Sequence, residues 1–196
     1  CGVWALTASR RMIPNHYSAA SFDFKTPHPR TAYVPSLNDQ GQLPPLEVYD
    51  YAGAYGFRNT ADGDALARRR MEAYEAGAKH FSAEGDADTV QPGRSFTLAG
   101  PYDIQAIGSG AGDNEFLIID AHHLVNNNYE TGQDQTAEYR ARFTCLRKRI
   151  PWRPTPGHSS HTPRIHGLQT FFFNDTATNE IYTDEYGRVR VQFHWD

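Results

Sequence analysis

Residues 180–196, E-I-Y-T-D-E-Y-G-R-V-R-V-Q-F-H-W-D, decide the fold class of this sequence. From Arg188 the side chains alternate. Val189, Val191, Phe193 and Trp195 share one parity, and Arg188, Arg190, Gln192 and His194 share the other. That period of two predicts a half-buried strand. Ahead of it, Asp184-Glu185-Tyr186-Gly187 supplies turn residues after the β-prone Ile181-Tyr182-Thr183. The two runs therefore form a hairpin in which Gly187 is free to take a positive φ. A lone hairpin with one apolar face is marginal in water. The stretch asks for more sheet than the sequence provides, so the chain is expected to be a fragment that continues beyond Asp196.

Composition agrees with a β-rich protein. Aromatic residues make up 13% and hydrophobic residues 39% of the 196, too apolar for a disordered chain. That length buries a sizeable core and holds one domain, or one and part of another. A net charge of −4 points to neither a nucleic-acid nor a membrane partner. No run of eighteen apolar residues predicts a membrane span. No charged-then-apolar leader opens the sequence, so no signal peptide is expected. Cys1 and Cys145 are too few for a disulfide framework and are expected to be free thiols.

Strand-like pieces at residues 2–7 and 17–24 flank a loop at Pro14-Asn15. Thr26-Pro27-His28-Pro29 is expected to end the second, because proline donates nothing to a ladder. Residues 35–46 form a loop and residues 46–51 a further strand with no partner assignable. Residues 62–84 are expected to be the one clear helix, capped by Asp62 or Thr60 and stopped by Gly85. Ala67, Met71, Tyr74, Ala78 and Phe81 would form its apolar stripe, packed on a sheet. Arg68 with Glu72 and Glu75 with Lys79 would pair on the outer face.

Strands return between residues 88 and 145. Gln91-Pro92-Gly93 is a turn, residues 94–99 alternate around Phe96 and Leu98, and residues 103–107 continue in the same manner. Ser109-Gly110-Ala111-Gly112-Asp113-Asn114 invites a phosphate-loop reading, but a phosphate loop needs a helix behind it. Here Phe116-Leu117-Ile118-Ile119 follows as a buried β run, which makes the loop a hairpin tip. Asn126-Asn127-Asn128 marks another turn. Over residues 138–145, Tyr139, Ala141, Phe143 and Cys145 fall on one side of a strand. Residues 146–163 then form a basic, proline-rich linker. Arg147, Lys148, Arg149 and Arg153 stand among four prolines with no acid, which is expected to make a solvated connector.

No catalytic constellation emerges. The nine histidines fit no zinc spacing, His158 and His161 lie in the linker, and His122-His123 lies in a strand that sends the rings to opposite faces. There is no G-x-S-x-G, and Cys145 has no paired base. The expectation is a protein with no catalytic, cofactor or metal site.

The run I-Y-T-D-E-Y-G-R-V-R-V-Q-F-H-W-D, with Pro163-Arg164-Ile165-His166-Gly167 upstream, resembles the start of the small barrel in the VgrG (Rhs-element Vgr) family of type VI secretion spike-tip proteins. Phe22-Asp23-Phe24-Lys25-Thr26-Pro27, the P-G-x-x-F-x-L at Pro92, the H-x-x-x-N-N-Y-E from His123 to Glu130 and the F-x-C ending at Cys145 extend the resemblance over most of the chain. Phe171-Phe172-Phe173 and residues 174–179 depart from the pattern and look like translated sequencing-adaptor sequence. No function is assigned to them. Three successive phenylalanines still leave at least one exposed or in an interface.

The resemblance implies a mainly β fold. Residues 1–155 would form a phage-tail-hub-like β-barrel region with one helix, joined by the 146–163 linker to residues 163–196, the start of an oligonucleotide/oligosaccharide-binding-type (OB-fold-like) small barrel. Ile181, Tyr182, Asp184, Tyr186, Gly187, Arg188, Val189, Val191, Phe193 and Trp195 mark that barrel's start. It implies a structural homotrimer seated on the hexameric Hcp tube, meeting a PAAR-type tip protein or effectors. Such a protein assembles in the cytoplasm of a Gram-negative bacterium and leaves by type VI secretion. A prophage contractile-tail hub and a carbohydrate-binding module are the alternatives.

Overall fold

A computed structural model of the chain describes residues 2–38, 41–99, 112–127, 129, 137–158, 163–173 and 183–195. Cys1, the expected strand at 103–107, the loop tip Ser109-Gly110-Ala111, Asn128, Glu130, His161, residues 174–179, Ile181 and Tyr182 lie outside the described residues. The chain divides into two compact units, Cys1–His158 and Ser159–Asp196.

In the first unit four strands precede a helix: β1 (Val3–Arg10), β2 (His16–Asp23), β3 (Thr26–Pro35) and β4 (Glu47–Ala54), then α1 (Thr60–Ala76). Four more follow: β5 (Lys79–Gly85), β6 (Ser95–Thr97), β7 (Glu115–Asn126) and β8 (Glu138–Arg147). They build a five-stranded sheet in the order β1-β5-β8-β7-β6, antiparallel throughout, and a three-stranded sheet in the order β3-β2-β4. The strand over residues 46–51 finds its partner in β2, and the pairing is parallel. The chain is mainly β with one helix among the described residues, as expected.

The three-stranded sheet owes its core to alternation. Tyr17 and Ala19 of β2 and Ala32 and Val34 of β3 point inward, where Ala67 and Met71 of α1 meet them. The apolar stripe of the helix therefore packs on a sheet. Full burial of a methionine such as Met71 stabilises by about 1.5–3 kcal/mol. Tyr17 keeps its hydroxyl satisfied by donating to Asp50 Oδ2 at 2.9 Å. Burial, and then that bond, push the phenol up to about 12.

Both helix ends correct the sequence reading. Asn59, not Asp62 or Thr60, is the N-cap: its backbone is extended and its Oδ1 accepts from the Asp62 N–H at 2.9 Å, an arrangement worth about 1 kcal/mol. Glycine at position 63 suits the helix because a Cβ there would stand 2.8 Å from the Phe57 ring. The helix stops at Ala76, not at residue 84. Gly77 caps it through the carbonyls of Tyr74 and Glu75, and the chain turns directly into β5. Phe81 misled because it continues a step of three from Ala78, yet it also alternates with Ala83 in a strand. Glu75 is buried rather than outward, with Oε1 accepting from Ser36 Oγ and the Leu37 N–H at 2.7 Å each. Gly85 is no helix stop but a strand residue, where a Cβ would come within 2.3 Å of the Gly2 carbonyl oxygen.

Thr26-Pro27-His28-Pro29 also opens a strand rather than ending one. Asp23 pairs with Thr26 across a two-residue turn, and both prolines sit in β3, an edge strand where a missing donor is tolerated. The second core lies on the five-stranded sheet. Phe81, Ala83, Phe116, Ile118, Ala141, Phe143 and Cys145 are buried there with Val90 and Leu98. The parity expected over residues 138–145 holds. Phe81 meets Phe116 edge-on at 4.9 Å, and Phe96 stacks on Phe116 at 5.4 Å. Burial pushes the Cys145 thiol up to about 12, so this free cysteine acts as a small hydrophobe. Gly112-Asp113-Asn114 turns into β7, a strand and not a helix.

The second unit contains β9 (Phe171–Phe173) and β10 (Val191–Phe193), paired antiparallel with Phe171 opposite Phe193. None of its described residues is fully buried.

Candidate functional site

The turn between Thr183 and Val189 is built from one carboxylate. Asp184 Oδ1 accepts from the N–H groups of Tyr186 and Arg188 at 2.9 Å each, and Oδ2 accepts from Arg188 Nε at 2.6 Å. These bonds, the Arg188 side chain first, hold the Asp184 carboxyl below its ordinary range. Gly187 takes φ +72°, its N–H donates to the Asp184 carbonyl, and a single bridge joins Thr183 to Val189. The Arg188 guanidinium lies 5.5 Å from the Tyr186 ring centroid. Asp184, Tyr186, Gly187 and Arg188 thus come together in one reverse turn.

Beyond that bridge the expected partners Ile181 and Tyr182 lie outside the described residues. β10 pairs with β9, and its length is three residues. Val191 and Phe193 are half-buried, whereas Val189 and Trp195 are exposed, Trp195 by 69%. Phe193 stacks on Trp195 at 5.0 Å and meets Phe171 edge-on at 5.8 Å. Phe171, Phe172 and Phe173 are all exposed.

The basic segment after β8 departs further from expectation. Arg147 and Arg149 share Asp113 at 2.5 and 3.1 Å, Lys148 pairs with Glu115 at 3.0 Å, and Arg153 pairs with Glu72 at 2.7 Å. These pairs tie its basic residues to the first unit, while Lys148, Arg149 and Arg153 stay about half exposed. The acids come from α1, from the turn before β7 and from the first residue of β7, between 33 and 81 residues away in sequence, which local composition does not reveal. Asp113 and Arg147 are nearly enclosed, with 7% and 11% of their side chains exposed.

The histidines are dispersed. His16 Nδ1 contacts Asn15 Oδ1 at 2.7 Å and its ring stacks on Tyr33, His80 Nε2 reaches the Ala76 carbonyl at 2.8 Å, and His123 Nδ1 meets Tyr139 Oη at 2.6 Å. Among the described residues no group of three His, Cys, Asp or Glu side chains is placed to hold a metal ion. No helix there is long and apolar enough to cross a membrane.

One surface escaped the sequence reading. On the face of the three-stranded sheet away from α1, Ser18 pairs with Tyr33 on one side and Tyr49 on the other, and Tyr51 follows on β4. All three rings are exposed. The signal was the alternation of Tyr49 and Tyr51 with Val48 and Asp50.

Residues 2–129 match the phage tail baseplate hub (GPD) family. The type VI secretion system spike protein VgrG1b of Pseudomonas aeruginosa is 30% identical over 191 residues, covering 96% of this chain and 24% of that protein. VgrG3 of Vibrio cholerae, also a type VI secretion system spike protein, is 26% identical over 190 residues, covering 93% of this chain and 17% of its own length. The chain spans about a quarter or less of the curated relatives it matches. Among solved structures, a tail protein from Neisseria meningitidis MC58 superposes with a TM-score of 0.52 at 8% identity, over 76% of this chain and 41% of that one. That likeness concerns the fold alone.

Proposed function

The chain belongs to the phage tail baseplate hub family, and on that premise we propose that it is the hub portion of a type VI secretion spike protein. The single observation that carries the reading is the hub-family match over residues 2–129 on a chain 30% identical to a type VI spike protein. In this role the chain is structural. It would form a homotrimer on the hexameric Hcp tube, beneath a PAAR-type tip or effectors, and leave the cell with the spike. Load would be carried by buried intersubunit surface, with no bond made or broken.

Residues 163–196 would begin the small barrel at the base of the spike, with Val189, Val191, Phe193 and Trp195 on its inner face. The exposed side chains of Val189 and Trp195 support that reading, since more strands packed on the same face would cover them. The Asp184 turn would then fix the register of the first hairpin.

Light scattering on the full-length protein that carries this chain tests the proposal. A mass of three copies, and co-purification with Hcp, is the expected result. A clean monomer that ignores Hcp overturns it. The family description itself favours a second reading, a prophage contractile-tail hub. Neighbouring capsid and tail genes, rather than secretion-sheath genes, would select it.

A further inference from the structure

A row of like charge crosses one end of the five-stranded sheet. Arg10 and Lys79 are the last Cα partners of the β1–β5 ladder. The β5–β8 ladder ends with Phe81 opposite Cys145, two residues short of Lys79 on one strand and of Arg147 on the other. Like charges directly opposite on neighbouring strands destabilise a sheet. Asp113 answers Arg147 and Arg149, but among the described residues neither Arg10 nor Lys79 forms an ion pair. The Lys79 ammonium lies 5.2 Å, and the Arg147 guanidinium 5.9 Å, from the centroid of the Phe81 ring. Arg147 Nε is buried with no hydrogen-bond partner among the described residues.

These cations line one cavity of about 260 Å³, together with Arg149 and Asn38. Glu75 borders it too, with Oε1 occupied by Ser36 and Leu37. Among the described residues four cations and one carboxylate, Glu75, line the cavity, and Asp113 pairs with Arg147 and Arg149. Burial first, and then the charges of Arg147 and Arg10, hold the Lys79 ammonium below its ordinary range. Among the described residues the cations outnumber the carboxylates there, and an oxyanion supplies counter-charge through charge-assisted hydrogen bonds from lysine and arginine. Its volume suits a phosphate group and falls short of the roughly 300–1,000 Å³ of drug-sized sites.

From this geometry we infer that the cavity is a binding site for a small phosphate oxyanion, free or as a monoester, held by Lys79 and Arg10. The inference is independent of the secretion reading. The full chain is melted and titrated calorimetrically with inorganic phosphate and, separately, with glycerol 2-phosphate, at ionic strength matched with sodium chloride. Phosphate is expected to raise the melting temperature beyond chloride. A response to either ligand supports the site, and their ratio tells the free anion from the ester. In phosphate-free buffer K79Q is expected to melt above the parent, since an opposed charge is gone, and to bind phosphate at least tenfold more weakly. K79R, which keeps the charge, retains binding. Equal shifts with phosphate and chloride would overturn the inference, as would undiminished affinity in the folded R10Q/K79Q variant, its fold checked by circular dichroism.

Discussion

The two units of this chain use the same raw material to opposite effect. Cys1–His158 buries its aromatic residues: Phe81 and Phe116 lie face to edge inside the five-stranded sheet, both essentially inaccessible. Ser159–Asp196 has at least as dense a run of rings, yet Phe171, Phe172, Phe173 and Trp195 stay exposed around a two-stranded ladder of three pairs. Aromatic content alone therefore does not make a core. A sheet becomes stable when another layer or more strands cover one face. The first unit has that cover in α1 and in the loop residues Val90 and Leu98. Among its described residues the second has the β9–β10 ladder and the polar turn at Asp184.

The largest expected effect that sharpens this contrast comes from matched truncations. Phe116→Ala should cost about 3–5 kcal/mol in denaturant unfolding, the range for a fully buried phenylalanine. Phe193→Ala should shift the same transition by less than about 0.5 kcal/mol, as a substitution outside a packed core does. Equal losses at the two positions would break the distinction.

Ion pairs give a smaller test of the same kind. Arg147→Met takes the closer of two guanidiniums from the enclosed Asp113, and should cost about 2 kcal/mol, the scale for a buried charge deprived of a partner. Arg188→Met removes an exposed pair and should cost under about 1 kcal/mol. Urea midpoints at constant slope measure both.

The smallest effects lie in pH. The Asp184 carboxyl is depressed in the folded turn, so its contribution is present above the ordinary carboxylate range and fades as pH falls through the depressed value. The Tyr17 phenol is raised to about 12, so its contribution is intact below the ordinary tyrosine value near 10 and fades as pH rises toward 12. Nuclear magnetic resonance titration should show acid loosening confined to the Thr183–Val189 bridge and alkaline loosening confined to the β2–α1 layer. The reverse assignment would contradict both placements.

Much of the fold was legible in the sequence because it rests on short-range rules. The alternation from Tyr139 to Cys145 named the buried face of β8, and Asp184 with Gly187 named the turn, since a carboxylate and a positive-φ glycine act within four residues. The misses come from long-range causes. Gly77 ends the helix, yet Ala78 and Phe81 continue the apolar spacing, because the first residues of β5 must also face a core. Pro27 and Pro29 look like breakers until β3 is known to be an edge. The basic run from Arg147 looks solvated until Glu72, Asp113 and Glu115 are brought beside it. Ile181 and Tyr182, chosen with the barrel-start residues, lie outside the described residues, and Val189 and Trp195 are exposed in this chain.

Amide hydrogen exchange on the chain tests most directly the contrast between the covered core of the first unit and the uncovered β9–β10 ladder. The account predicts that the ladder amides of Phe81, Ala83, Ala141, Phe143 and Cys145 exchange only through global unfolding, and that those of Val191 and Phe193 exchange within a few tens of times the unstructured rate. Global-unfolding protection at Val191 and Phe193, equal to that at Phe81 and Cys145, would contradict it.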